Sequence, residues 1–293
     1  HTMAPNTMLA LMFALVSAQV IYTPQQLSQE ITDLPGKPSS ATFRMFSGYI
    51  AVDDAATRSL FYWFVEATNS PEKAPIVLWT NGGPGCSGLG GFLTELGPFR
   101  PDVNGTSLHM NPYSWNMVAN MIFIEQPAGV GFSTAPADYK DYGDAQAAKD
   151  NAAFVTGWFK LFPQYATAPF YLTSESYGGH YLPTLAAQIL KNGNVPNFRG
   201  FAVGNPLTYM PYRDYGMYGT YAGHNLVPKP LFDKYLAAGC NKDDSSQVCG
   251  DLMSSMDAIT SNLNPYALDF PICLEGQSSG ERRAFMRTIS AAR

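Results

Sequence analysis

The stretch Phe170-Tyr171-Leu172-Thr173-Ser174-Glu175-Ser176-Tyr177-Gly178-Gly179-His180-Tyr181 decides how this chain is read. An apolar, aromatic run leads into Ser-Glu-Ser-Tyr-Gly-Gly. Leu182-Pro183-Thr184-Leu185-Ala186-Ala187-Gln188-Ile189-Leu190 follows, with apolar residues at helical spacing. Strand, sharp turn and helix form the setting in which a serine becomes an exposed nucleophile on a strained elbow. The turn demands small flanking residues. Gly178 meets that demand, whereas Ser174 stands where a glycine is usual. Ser176 would sit at a helix N-terminus, whose open N–H groups favour developing negative charge. Taken alone the stretch also fits an ordinary strand-to-helix turn with a polar cap, so the rest of the chain has to decide.

The 293 residues are 46% hydrophobic and 14% charged, enough for a sizeable core in one large α/β domain or two smaller ones. A net charge of −5, with no run of Lys or Arg, argues against nucleic acid as a partner. Leu9 to Val16 is an apolar run too short to span a bilayer, and Val16-Ser17-Ala18 resembles a small-residue cleavage site. Residues 1–18 are therefore expected to be a signal peptide, with no membrane anchor. Export permits disulfides. Four cysteines, Cys86, Cys240, Cys249 and Cys273, allow three pairings. None has the paired C-x-x-C spacing of a zinc site, so neither a metal nor another cofactor is expected.

Residues 19–42 are polar and proline-bearing and read as an extended arm. Phe43–Val52 and Leu60–Val65 read as a hairpin, and Pro75–Thr80 and Met121–Ile124 as strands buried on both faces. After Thr80 comes Asn81-Gly82-Gly83-Pro84-Gly85-Cys86-Ser87-Gly88-Leu89-Gly90-Gly91. So many glycines imply close backbone approach or positive φ, and successive N–H groups there can form an anion-binding nest. It is not a P-loop, because no Gly-Lys-Ser/Thr follows. Asn104-Gly105-Thr106 is a glycosylation acceptor in a surface loop. Ala145–Phe162 has helical spacing, Phe170–Thr173 reads as the elbow strand, and Gly200–Asn205 as the next strand, beside it. Strands alternating with helices give an α/β fold with a mostly parallel sheet. From about residue 209 strand signals fade into a mainly helical insertion and a polar tail.

With both loops in view the chain resembles the serine carboxypeptidase family. The resemblance rests on Ser47-Gly48-Tyr49, Leu60-Phe61-Tyr62-Trp63-Phe64, Asn81-Gly82-Gly83-Pro84-Gly85-Cys86-Ser87 and Glu95-Leu96-Gly97-Pro98. It continues through Asn111-Pro112-Tyr113-Ser114-Trp115-Asn116, Pro127-Ala128-Gly129-Val130-Gly131-Phe132-Ser133, Glu175-Ser176-Tyr177-Gly178-Gly179-His180-Tyr181 and Gly204-Asn205-Pro206-Leu207-Thr208. It implies an α/β-hydrolase-type twisted sheet flanked by helices over residues 19–208 and a helical cap with tail over 209–293. It also implies Ser176 as nucleophile, the N–H groups of Gly83 and Tyr177 as oxyanion hole, and Asn81, Gly82, Glu95 and Glu175 as the subsite for a substrate's terminal carboxylate. Two adjacent carboxyls share a proton, and a protonated carboxyl can donate a hydrogen bond where an ionised one would repel the substrate. Peptide or protein C-termini would be the partners, in the secretory pathway, a lysosome or vacuole, or outside the cell. Cys240 and Cys249 resemble the family's local disulfide; Cys86 and Cys273 match positions paired beyond this chain, or they pair with each other.

The departures concern catalysis. In α/β-hydrolases the triad runs Ser, Asp, His. After Ser176 only His180 and His224 remain. His180 lies one turn along the elbow helix, and His224 matches a position in the insertion. The family's final strands, which carry both partners, have no counterpart in this sequence. The expectation is a serine carboxypeptidase that is catalytically incomplete in this chain alone. The alternatives are an acyltransferase on the same scaffold, or a non-catalytic secreted protein that binds or protects a partner.

Overall fold

The computed structural model describes residues 20–270. The signal-peptide expectation for residues 1–18, and Cys273, lie outside them. The elements run α1 (Pro24–Leu27), β1 (Met45–Ala51), β2 (Ser59–Val65), β3 (Ile76–Thr80), α2 (Gly88–Thr94), β4 (Phe99–Pro101), β5 (Leu108–Met110) and β6 (Asn120–Ile124). They continue with α3 (Asp144–Leu161), β7 (Phe170–Glu175), α4 (Gly178–Asn192), β8 (Phe198–Gly204), α5 (Met210–Gly223), α6 (Lys229–Ala237) and α7 (Gln247–Thr260). Six strands form one sheet in the order β1-β2-β6-β3-β7-β8, and β4 pairs with β5 in a small separate hairpin. β3 runs parallel to both β6 and β7, while β1-β2 and β2-β6 are antiparallel. The α/β-hydrolase-type sheet flanked by helices is thus present. The arm contains one helical turn, α1, whose Thr23 and Gln26 form a capping box.

The chain divides into two compact units. The first comprises residues up to Asn81, Gly85–Ser174 and Tyr181–Ala202. In it each central strand is apolar on both faces, and the period of two sorts its side chains between two cores. Met45, Val65, Val77, Trp79, Met121 and Phe123 pack with Phe92, Leu96 and Phe99 around α2. The alternate residues face α3: Tyr62 packs edge-on against Phe154, and Phe64 against Trp158 and Tyr165. This two-sided burial is why the strands read as continuous apolar runs.

The second unit comprises Gly82–Pro84, Glu175–His180 and the residues from Val203 onward. Helices α5, α6 and α7 bury Tyr218, Tyr221, Tyr235, Met253 and Met256 around the Cys240–Cys249 disulfide, whose Cα atoms are 5.5 Å apart. The Tyr218 hydroxyl donates to Asp257 Oδ1 at 2.8 Å, which satisfies a polar group at the margin of this small core. Among the described residues no helix is long and apolar enough to cross a membrane, and no group of His, Cys, Asp or Glu could hold a metal ion.

A buried carboxyl ties the N-terminal arm to the rest of the first unit. Glu66, 5% exposed, accepts the Tyr165 hydroxyl at 2.9 Å. Tyr165 Oη is 3.0 Å from Tyr22 Oη. The Arg44 guanidinium lies 4.1 Å over the Tyr22 ring and makes two 2.7 Å bonds to Glu30. Burial pushes the Glu66 carboxyl up to about 7, against the smaller opposing effects of the Tyr165 and Arg44 hydrogen bonds. Between about pH 4.5 and pH 7 the folded chain therefore holds a proton that the unfolded chain has lost, so stability falls as pH rises through that window. We expect the native chain to lose on the order of 3 kcal/mol from pH 4.5 to above pH 7 through this group. Glu66→Gln should flatten that part of the profile in urea melts. Parallel slopes for native and variant would refute the assignment. Replacing both Cys240 and Cys249 by serine should cost about 2–3 kcal/mol, read as a lower urea midpoint for the tyrosine fluorescence of the helical unit.

Candidate active site

β7 ends at Glu175 and α4 begins at Gly178, so Ser176 and Tyr177 alone make the turn. Ser176 takes φ +54°, a left-handed conformation that costs a serine roughly 1–2 kcal/mol. Hydrogen bonds on both sides of the residue hold it there. The Ser176 N–H donates to Gly204 O at 3.0 Å, and Ser176 O accepts Leu207 N–H at 2.7 Å and Gly179 N–H at 3.0 Å. Gly204-Asn205-Pro206-Leu207 therefore wraps the elbow. Gly179 has no room for a side chain, because a Cβ would overlap Leu207 O. The sequence marks this wrap as a motif but gives no hint of its purpose, since it acts through main-chain atoms. Ser174, the residue in place of the usual glycine, is buried and donates its hydroxyl to Thr80 O at 2.7 Å. That bond gives the extra atoms of the serine a partner.

Gly82 comes close to the elbow. A Cβ on it would lie 2.5 Å from Tyr177 N, 2.7 Å from Glu175 O and 3.0 Å from Ser176 Cβ. The main chain of Gly82 thus reaches the serine, and the next residue, Gly83, is exposed with φ +110°. This explains the glycines after β3: backbone N–H groups can be presented beside Ser176 only if no side chain intervenes. The His180 ring stacks on Tyr177 at 4.6 Å between centroids. His224 is exposed at the end of α5, with Nδ1 2.9 Å from Thr220 O. Among the described residues no hydrogen bond involves the Ser176 hydroxyl.

In the first unit, Asn81 and Glu95 meet. Asn81 Oδ1 accepts two N–H groups, Trp79 Nε1 at 2.9 Å and Gly91 N at 3.0 Å, and Asn81 Nδ2 donates to Glu95 Oε1 at 2.8 Å. With two donors aimed at Oδ1 the amide cannot be flipped, so the orientation of Nδ2 toward Glu95 is fixed. Sequence reasoning missed Trp79 and Gly91 in this role. Trp79 reads only as a strand residue, and Gly91 acts through its backbone. Gly85 N–H donates to the Tyr181 hydroxyl at 3.1 Å, which pins the far half of the glycine loop. Asn104 is exposed in the β4–β5 loop.

Comparison with known proteins is consistent with this geometry. The family model described as serine carboxypeptidase matches residues 35–291. Serine carboxypeptidase-like 26 of Arabidopsis thaliana is 39% identical over 90% of this chain and 60% of its own length. Serine carboxypeptidase-like 33 of the same plant is 40% identical over 87% and 56%. The chain thus spans a little over half the length of the curated relatives it matches. A crystal structure of a prohormone-processing carboxypeptidase from Saccharomyces cerevisiae has a TM-score of 0.70 at 24% identity, covering 90% of this chain and 66% of that one, a likeness of fold.

Gly82→Ala should displace the elbow, since neither Tyr177 N nor Glu175 O can move without breaking the turn. A cost of about 1–3 kcal/mol is expected, as for other insertions into packed regions. A thermal midpoint unchanged from native would mean that Gly82 does not pack against the elbow.

Proposed function

The chain belongs to the serine carboxypeptidase family, and on that footing we propose that it carries the acyl-accepting half of a serine-type carboxypeptidase. The observation behind this reading is the strained elbow at Ser176 with the Gly82 main chain against it. In the proposed reaction the Ser176 hydroxyl attacks the carbonyl of the last peptide bond, and the N–H groups of Gly83 and Tyr177 receive the oxyanion. Asn81 and Glu95 take the substrate's terminal carboxylate, with Gly82 and Glu175 assigned to the same task on the resemblance alone. The orientation of Asn81 supports this, because it holds a donor in a fixed direction. Peptide and protein C-termini are the substrate class, the secretory pathway the location, and exposed Asn104 a glycan site.

A serine hydroxyl needs a base within hydrogen-bond reach, and that base needs a third group to hold its tautomer. The two histidines after Ser176 are engaged elsewhere, His180 on the Tyr177 ring and His224 at Thr220 O. We therefore propose that this chain alone turns over peptide negligibly. Loss of triad members leaves a residual ~10³–10⁴-fold catalysis over water, below the reach of an ordinary peptidase assay. The test is to expose the purified chain to a fluorophosphonate probe and to a blocked dipeptide in parallel. We expect neither labelling nor turnover from the chain alone, and labelling at Ser176 once the remaining segment of a full-length relative is supplied. Robust labelling with turnover by the chain alone would show a base within it. Labelling that remains absent in the completed protein would remove the nucleophile assignment.

A further inference from the structure

Glu125 stands immediately after β6 and is 2% exposed, and the proposed reaction gives it no part. Its carboxylate accepts the Ser87 hydroxyl on Oε1 and the Phe132 N–H, at 2.6 Å, on Oε2. Its main chain is fixed as well. The Glu125 N–H donates to Phe61 O at 3.1 Å, and Glu125 O accepts Ser133 Oγ at 2.6 Å. Ser87 is the N-cap of α2, where its Oγ also accepts the Leu89 N–H at 3.1 Å. A hydroxyl has one proton, so giving it to Glu125 leaves its lone pairs aimed at the helix. The next residue, Gly88, lies so close to Ile124 O that a Cβ would overlap it. The end of β6 thus grips the start of α2 twice.

α2 carries the groups that surround Asn81. Gly91, within it, supplies one N–H to Asn81 Oδ1, and Glu95, its C-cap, receives Asn81 Nδ2. We propose that Glu125, acting through Ser87, is the positioning residue that sets α2 so that Gly91 and Glu95 meet Asn81, and so orients the amide that would receive a substrate carboxylate. The last clause rests on the carboxylate reading above; the clamp itself does not. A glutamine keeps one oxygen for the Phe132 N–H, and its NH₂ group would then donate to Ser87 Oγ, reversing that bond and competing with the Leu89 N–H for the hydroxyl's lone pairs.

The Trp79 indole reports on the clamp, because its Nε1–H donates to Asn81 Oδ1. In the whole chain labelled with ¹⁵N-tryptophan, the four indole signals can be followed in native protein, Glu125→Gln and Ser87→Ala. The Trp79 signal should shift in both variants, and its exchange with solvent should rise on the order of tenfold. The indole of Trp158, fully buried against α3's own core, should stay where it is. A Trp79 signal unmoved in both variants overturns the proposal, and so does an equal displacement of all four indoles. If Glu125→Gln does not fold, Glu125→Asp, which keeps both oxygens but withdraws them from Ser87 and leaves the cap itself in place, is read in the same way. A second readout is titration with N-acetyl-phenylalanine against N-acetyl-phenylalanine amide. The native chain should prefer the acid, and Ser87→Ala should lose roughly tenfold of that preference, as expected for a displaced charge-assisted bond. No preference in the native chain would overturn the carboxylate reading, while the indole signals would still judge the clamp.

Discussion

The left-handed backbone of Ser176 is the constraint on which the rest of the elbow depends. A serine at φ +54° is held against its own preference. The surroundings must therefore hold this geometry more firmly than the residue resists it. They do so with main-chain bonds from Gly204 and Leu207 on one side and the first turn of α4 on the other. Each of these needs close backbone approach, and this is why glycine stands at positions 82 and 179. The reward of the geometry is orientation: the serine lies between a strand end and a helix N-terminus, where the open N–H groups face negative charge.

The sequence makes some of this legible and hides the rest, for physical reasons. β3 and β6 could be read because burial on both faces leaves an unbroken apolar run, and β7 because its apolar start, Phe170–Leu172, leads into the elbow motif. α3 could be read because its apolar stripe is long and regular. α2 could not. Its Gly88-Leu89-Gly90-Gly91 start has poor helix propensity, and the helix forms because Ser87 caps it and because glycine alone lets it lie against Ile124 O and Trp79 Nε1. Ser176, Gly82 and Asn81 stood out through local pattern. Trp79, Gly91 and Glu125 did not, because each matters only through a partner distant in sequence or through a main-chain atom.

The first unit holds two buried glutamates to different ends. Glu66 has one hydroxyl donor, from Tyr165, against its burial, and burial dominates, so the protonated form is favoured. Glu125 is met by a hydroxyl, a main-chain N–H and a fixed backbone. A buried carboxyl with both oxygens engaged is a rigid joint. The same residue type thus ties the N-terminal arm through one hydroxyl and the α2 helix through two donors.

The proposed reaction divides its labour by atom type. The groups that would receive an oxyanion are N–H groups of Gly83 and Tyr177, which every residue but proline supplies. What the sequence can encode there is only the absence of obstruction, and it does so with glycine. The groups that would recognise a chain end are side chains, Asn81 and Glu95, whose direction is set by further donors behind them. A general base is likewise a side chain, and it must be placed within hydrogen-bond reach of one oxygen. The main-chain half of such a site therefore needs only the loop after β3, the turn between β7 and α4, and the Gly204–Leu207 wrap. The side-chain half needs whatever element carries the base, and supplying that element is a separate structural requirement from bending the strand into an elbow.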